Sequence, residues 1–96
     1  MRLSYHPEAE EELAEAVSFY ASREWELGSD LKHEIEAAIN SILDNPEQCE
    51  IVEGDIRRRR VRRFPYDVCF QVDGDLVRIL VVMHHSRDPD YWKHRK

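Results

Sequence analysis

The run Ile79-Leu80-Val81-Val82-Met83 constrains the fold of this chain more than any other segment. It is apolar on both parities. Successive strand residues point to opposite faces, so a strand here needs cover on both sides of its sheet. In the segment before it, Phe64, Tyr66, Val68, Phe70 and Val72 alternate with Pro65, Asp67, Cys69, Gln71 and Asp73, the pattern of a strand with one apolar face. Between the two lies Val72-Asp73-Gly74-Asp75-Leu76, and an Asp-Gly pair supplies the positive φ of a tight hairpin turn cheaply. These runs predict a hairpin whose second strand is central and is broken off at Asp88-Pro89.

The cover must come from the N-terminal half. Leu3 to His6 is a short strand candidate stopped by Pro7, and proline followed by Glu8, Glu10, Glu11 and Glu12 suits the first turn of a helix. Ala9, Leu13, Ala16, Val17 and Tyr20 then recur at helical spacing. Gly28-Ser29-Asp30 punctuates the link and can open a second helix, whose stripe is Leu31, Ile35, Ala38, Ile39 and Ile42 and which Asn45-Pro46 ends. Glu47 to Asp55 reads as a loop. Two amphipathic helices with a short link form an αα-hairpin that needs a sheet to cover. The expected fold is α+β, with an N-terminal strand and an αα-hairpin packed on a small antiparallel sheet. Residues 1–96 form a single domain.

Charge is split along the chain. Residues 1–55 hold 15 Asp/Glu against 3 Lys/Arg, and residues 56–96 hold 11 Lys/Arg against 5 Asp/Glu, so the halves carry -12 and +6 within a net charge of -6. An acidic body repels phosphates outside the basic patch, which argues against broad nucleic-acid coating and favours a focused site or an acidic protein partner. Cys49 and Cys69 are the only cysteines, no signal peptide is evident, and no apolar run approaches the ~20 residues of a membrane span. A cytoplasmic protein with free thiols and no membrane association is the expectation.

Several stretches resemble the RelE/ParE superfamily, the toxins of type II toxin–antitoxin modules, also called plasmid stabilisation proteins. They are Tyr5-His6-Pro7-Glu8-Ala9-Glu10, Asn45-Pro46, Arg62-Arg63-Phe64-Pro65-Tyr66 with Val68 and Phe70, Val82-Met83-His84, and Arg87-Asp88-Pro89-Asp90-Tyr91-Trp92 with Arg95. The resemblance implies a sheet with a cationic face, a cognate antitoxin as partner, and either a homodimer or a toxin–antitoxin hetero-oligomer. It implies one of two targets. RelE-like members cut mRNA on the ribosome without metal or cofactor; ParE-like members poison DNA gyrase and lack a nuclease site. A family member that only binds its antitoxin is a third outcome. The long helical hairpin is similar to ParE, whereas the terminal His-His-Ser-Arg with a following tyrosine offers nuclease chemistry. RelE itself carries lysines where this chain has only arginines between Ile56 and Arg63.

RNA cleavage through the 2′-hydroxyl needs a base, a cation at the crowded phosphate and an acid for the leaving oxygen. The candidate catalytic set is Arg63, His85, Arg87 and Tyr91. His84 and His85 are adjacent, so one strand presents only one of them to a given face, and His85 is preferred because it follows the strand end. Arg57, Arg58, Arg59, Arg60 and Arg62 are candidates for binding nucleic acid or antitoxin, against the plainer reading of a charged edge strand that deters edge-to-edge pairing. Tyr91-Trp92 also reads as a hydrophobic clasp, Arg87 with Asp88 or Asp90 as a surface ion pair, Cys69 as a small buried thiol, and Glu10, Glu11, Glu12 and Glu15 as a solvated helix face. Adjacent histidines do not make a metal site, and none is expected.

Overall fold

The computed structural model describes residues 1–95. The chain runs β1 (Arg2–Tyr5), α1 (Pro7–Arg23), α2 (Trp25–Asp44), a 3-10 turn (Pro46–Gln48), β2 (Glu50–Glu53), β3 (Ile56–Arg60), β4 (Tyr66–Asp73), β5 (Leu76–His84) and a last 3-10 turn (Lys93–Arg95). One sheet forms in the order β1-β5-β4-β3-β2. The α+β layout with a helical hairpin on a small sheet is as the sequence predicts, but the sheet is mixed. β2 to β5 pair antiparallel, while β1 lies parallel to β5 because the helical hairpin carries the chain away from that edge before it returns.

The local chemistry accounts for most boundaries. The imidazole Nδ1 of His6 accepts the Glu8 N–H at 3.1 Å and caps α1, with Pro7 in the first turn. Gly74, at φ 61°, makes the two-residue turn between β4 and β5. Three expectations need correction. The second helix starts at Trp25, so Gly28 lies inside it and not at its opening; a Cβ on Gly28 would fall 2.6 Å from Ala21 Cβ, so glycine is what lets the two helices touch. The stretch read as a loop from Glu47 to Asp55 contains the edge strand β2. Phe64 and Pro65 precede β4, because Arg63 takes a left-handed φ of 70° and the Val61 N–H donates across the turn to the Tyr66 carbonyl.

The sheet is covered on both faces. The helical hairpin buries Leu31, Ile35, Ala38, Ile39 and Ile42 against Val68, Phe70, Val77, Ile79 and Val82. On the opposite face Ile56, Cys69, Leu80, Val81 and Met83 are covered by Trp92, as the C-terminal segment folds back over them. Burial pushes the Cys69 thiol up to about 12. A β-bulge sets the parity of β5: Phe70 pairs with Ile79 and Cys69 with Val81, which leaves Leu80 as the extra residue.

β1 pairs with β5 only as far as Ile79. Beyond it, Glu12 of α1 fills the gap. Its carboxylate accepts the Val82 N–H at 3.1 Å, the Tyr91 hydroxyl, and Arg95 Nη1 and Nη2 at 2.8 and 3.1 Å. The guanidinium of Arg95, 4% exposed, also donates to the Leu80 carbonyl and pairs with Glu8. Glu12 was expected on a solvated face. It is instead the anchor of the C-terminal segment.

Two stability predictions follow from these contacts. Gly→Ala inside a helix ordinarily gains ~0.5–1 kcal/mol. At Gly28 overpacking against Ala21 should cost ~1–3 kcal/mol and reverse the sign, as thermal or denaturant unfolding will read. Glu12→Gln leaves the buried Arg95 charge with Glu8 alone and should cost about 3 kcal/mol, the low end for breaking a buried pair. Glu11→Gln, on the exposed side of α1, serves as the control.

Candidate active site and arginine cleft

Parity is what brings the polar residues of the second sheet face together. With Leu80 as the bulge, Met83 and His85 fall on the face of Asp67 and Arg58, while Val82 and His84 fall on the helix face. The His85 N–H donates to the Pro65 carbonyl at 2.8 Å, which continues the ladder one residue past β5 and fixes the histidine. Its Nε2 lies 3.1 Å from Asp67 Oδ1. The Asp67 side chain is 9% exposed and that of His85 33%, so the acid is inside and the imidazole reaches the surface.

Asp67 also faces Arg58, whose Nε lies 3.9 Å from Oδ2 and whose Nη2 donates to Glu50 at 2.6 Å. The bond to Glu50 is the main reason the Arg58 guanidinium holds its proton even more firmly than usual. Arg60 and Arg87 complete the surroundings. A cleft of about 470 Å³ is lined by Glu50, Arg58, Arg60, Asp67, Met83, His85, Arg87 and Pro89. Arg60 and Arg87 make no ion pair among the described residues, so two arginines are free to meet an anion.

The structure divides the remaining candidates. Arg63 lies elsewhere, 3.5 Å from Asp30 of α2, in a larger cleft of about 760 Å³ that Arg59 and Arg62 also line and that Arg58 and Arg60 share. The Arg57 guanidinium donates to the carbonyls of Glu47 and Cys49 and holds the loop before β2. Tyr91 turns toward α1, with its hydroxyl on Glu12; burial, then the Glu12 bond, raise its pKa well above the usual tyrosine range. The guanidinium of Arg87 stacks on the Tyr91 ring, 3.8 Å from its centroid. Arg58, Arg60, His85 and Arg87 therefore meet in one cleft, and Arg63 and Tyr91 do not join them.

His84 sits on the other face, its ring edge-on to Tyr66 at 5.1 Å, with its Nδ1 accepting the Ser86 N–H. Asp67 is the participant that sequence reading misses. It stands among polar residues on the outward parity of β4, and only a count through the bulged register would place it beside His85. Among the described residues no cluster of His, Cys, Asp and Glu is arranged to hold a metal ion, and no helix is long and apolar enough to cross a membrane.

Comparison with solved structures gives a fold likeness. A structure described as the chromosomal ParDE TA system from P. aeruginosa superposes with a TM-score of 0.76 at 18% identity, covering 88% of this chain and 95% of that one. The isolated E. coli RelE toxin superposes with a TM-score of 0.65 at 19% identity, covering 97% and 93%. No match is found among curated proteins. Residues 3–89 match the family described as the ParE toxin of type II toxin-antitoxin system, parDE. With nearly its whole length accounted for in this way, the chain belongs to the ParE toxin family within the RelE/ParE superfamily.

Proposed function

We propose that this toxin arrests growth from within the cytoplasm, is neutralised by a cognate antitoxin, and acts as a metal-independent, ribosome-dependent mRNA endonuclease. The observation that carries the catalytic part is the His85–Asp67 pair set beside Arg58, Arg60 and Arg87 in one cleft. A carboxylate only accepts hydrogen bonds, so Nε2 of His85 carries the proton and Nδ1 holds the lone pair. Nδ1 takes the proton of a ribose 2′-hydroxyl. The 2′ oxygen attacks phosphorus and the bond to the 5′ oxygen breaks. The products are a 2′,3′-cyclic phosphate and a 5′-hydroxyl, whose proton His85 returns. Arg60 and Arg87 meet the charge that builds on the phosphoryl oxygens. Asp67 sets the tautomer and steadies the imidazolium.

A second reading, inhibition of DNA gyrase without nuclease chemistry, is favoured by the ParE family match and by the higher TM-score to the ParDE structure than to RelE. Under that reading the same surface acts by binding alone. A chain that only holds its antitoxin would show neither activity.

The antitoxin segment is expected to be acidic and to dock on the strip that includes Arg59 and Arg62, neither of which has an ion-pair partner among the described residues. Arg59→Glu with Arg62→Glu should weaken the complex by about tenfold at low salt, and by less as salt rises and exposed charges are screened. Affinity that stays unchanged at low salt would remove the strip from the interface.

Purified ribosomes programmed with mRNA, beside a gyrase supercoiling assay, separate the activities. Cleavage should occur in the first, and His85→Ala should slow it by about 10²–10⁴-fold while the melting temperature stays near that of the parent. Asp67→Asn should slow it too, since an amide can hold the wrong tautomer. Intact mRNA together with blocked supercoiling that His85→Ala leaves in place would replace the nuclease with the gyrase reading.

A further inference from the structure

Arg87 lines two clefts. One is the arginine cleft with His85. The other, of about 270 Å³, opens between α1 and the end of β5, walled by Glu15, Phe19, Tyr66, His84, Arg87 and Tyr91. Its chemistry differs from that of its neighbour. Four rings surround it, and Phe19 is 50% exposed although it is a large apolar side chain. Tyr66 and His84 meet edge to face, and the Arg87 guanidinium carbon lies over the Tyr91 ring, 3.8 Å from its centroid. Such walls suit a planar guest that stacks.

The polar groups say more. The Nδ1 of His84 accepts the Ser86 N–H at 3.0 Å, so Nε2 carries the ring proton and is a donor. The Glu15 carboxylate makes no hydrogen bond or ion pair among the described residues, unlike Glu12 beside it, whose oxygens are taken by Val82, Tyr91 and Arg95. One cleft therefore offers a fork of two acceptor oxygens and a separate donor. Charge decides which part of a nucleotide enters it. The Glu-rich face of α1 repels a phosphate, whereas Arg58, Arg60 and Arg87 next door attract one.

We propose that the cleft between α1 and β5 binds a guanine base of single-stranded RNA, with the attached phosphate in the arginine cleft on the other side of Arg87. Guanine presents adjacent N1–H and N2–H donors to the Glu15 carboxylate and an O6 acceptor to the His84 Nε2–H, and one of its faces lies against the exposed Phe19 ring, whose other side the Arg23 guanidinium covers. Uracil lacks the paired donors, and hypoxanthine has only one of them. Glu15 and Phe19 thereby become specificity residues. The inference rests on the endonuclease reading for its biological setting, but the base site stands on its own geometry.

Two measurements test it. In NMR titrations of the isotope-labelled chain, guanosine 5′-monophosphate should shift the resonances of Phe19, Tyr66 and His84. Inosine 5′-monophosphate should bind about tenfold more weakly, the loss expected for one unpaired carboxylate contact, and Glu15→Gln should erase that difference. Glu15 and Phe19 are exposed, so Glu15→Gln and Phe19→Ala should keep the parent's melting temperature. On ribosome-bound mRNA, cuts should cluster beside guanine and redistribute in Glu15→Gln. Equal binding of guanosine, inosine and uridine monophosphates, or a guanine preference that survives Glu15→Gln, overturns the inference even if mRNA is cut. Guanosine-specific shifts at these residues with no mRNA cleavage uphold the base site and overturn the endonuclease reading instead.

Discussion

Beyond Ile79 the edge of β5 has no strand beside it, and Glu12 and Arg95 supply the partners it lacks. The Val82 N–H and the Leu80 carbonyl would otherwise be unpaired next to the most apolar strand of the molecule. An unmet buried backbone group costs about as much as a lost hydrogen bond, ~1–3 kcal/mol. Two side chains from opposite ends of the chain meet that need and pair with each other. Their meeting also carries Trp92 onto Leu80, Val81 and Met83, and so closes the second face of the sheet. The position of Arg87 follows, because its guanidinium rests on Tyr91, whose hydroxyl is held by Glu12.

The arginine cleft gains its character from the same arrangement. Six arginines lie between Arg57 and Arg63, but they do not act as one surface. Arg57 is engaged by backbone carbonyls, Arg58 by Glu50 and Asp67, and Arg63 by Asp30. Arg60 remains for the cleft and Arg59 and Arg62 for the neighbouring strip. The acidic residues around them hold some cations in place and leave others free, which confines the cationic patch to a small area on a protein of net charge -6. A focused anion site on an acidic body is selective by exclusion as well as by attraction.

Much of this was legible in the chain. The helical stripes of Leu31 to Ile42, the Asp-Gly turn and the doubly apolar Ile79–Met83 run are local patterns, and the helical hairpin, the tight turn and the doubly covered central strand appear where they indicate. So does the burial of Trp92, one of the two roles open to the Tyr91-Trp92 pair. The helix start at Trp25, the edge strand β2 and the parallel pairing of β1 were not legible. Each depends on a neighbour distant in sequence: the close crossing at Gly28 on Ala21, the pairing of β2 with β3, and the return of the chain past β5.

The site shows the same division at the scale of single residues. Alternation and turn chemistry act within a few residues, so the order of residues already delivers histidines and arginines to the end of a central strand. The same local alternation sends His84 and His85 to opposite faces. Which histidine joins Asp67 depends on the register of the folded sheet. Counting a regular ladder back from the Asp73–Leu76 pair places His84 on the face of Asp67; the extra residue at Leu80 shifts the count by one and puts His85 there. Tertiary structure likewise decided that Tyr91 serves Glu12, an acid 79 residues away that the sequence presents as one more glutamate on a charged helix. A bulge and a long-range carboxylate are set by how the sheet is covered, and that depends on the whole chain at once.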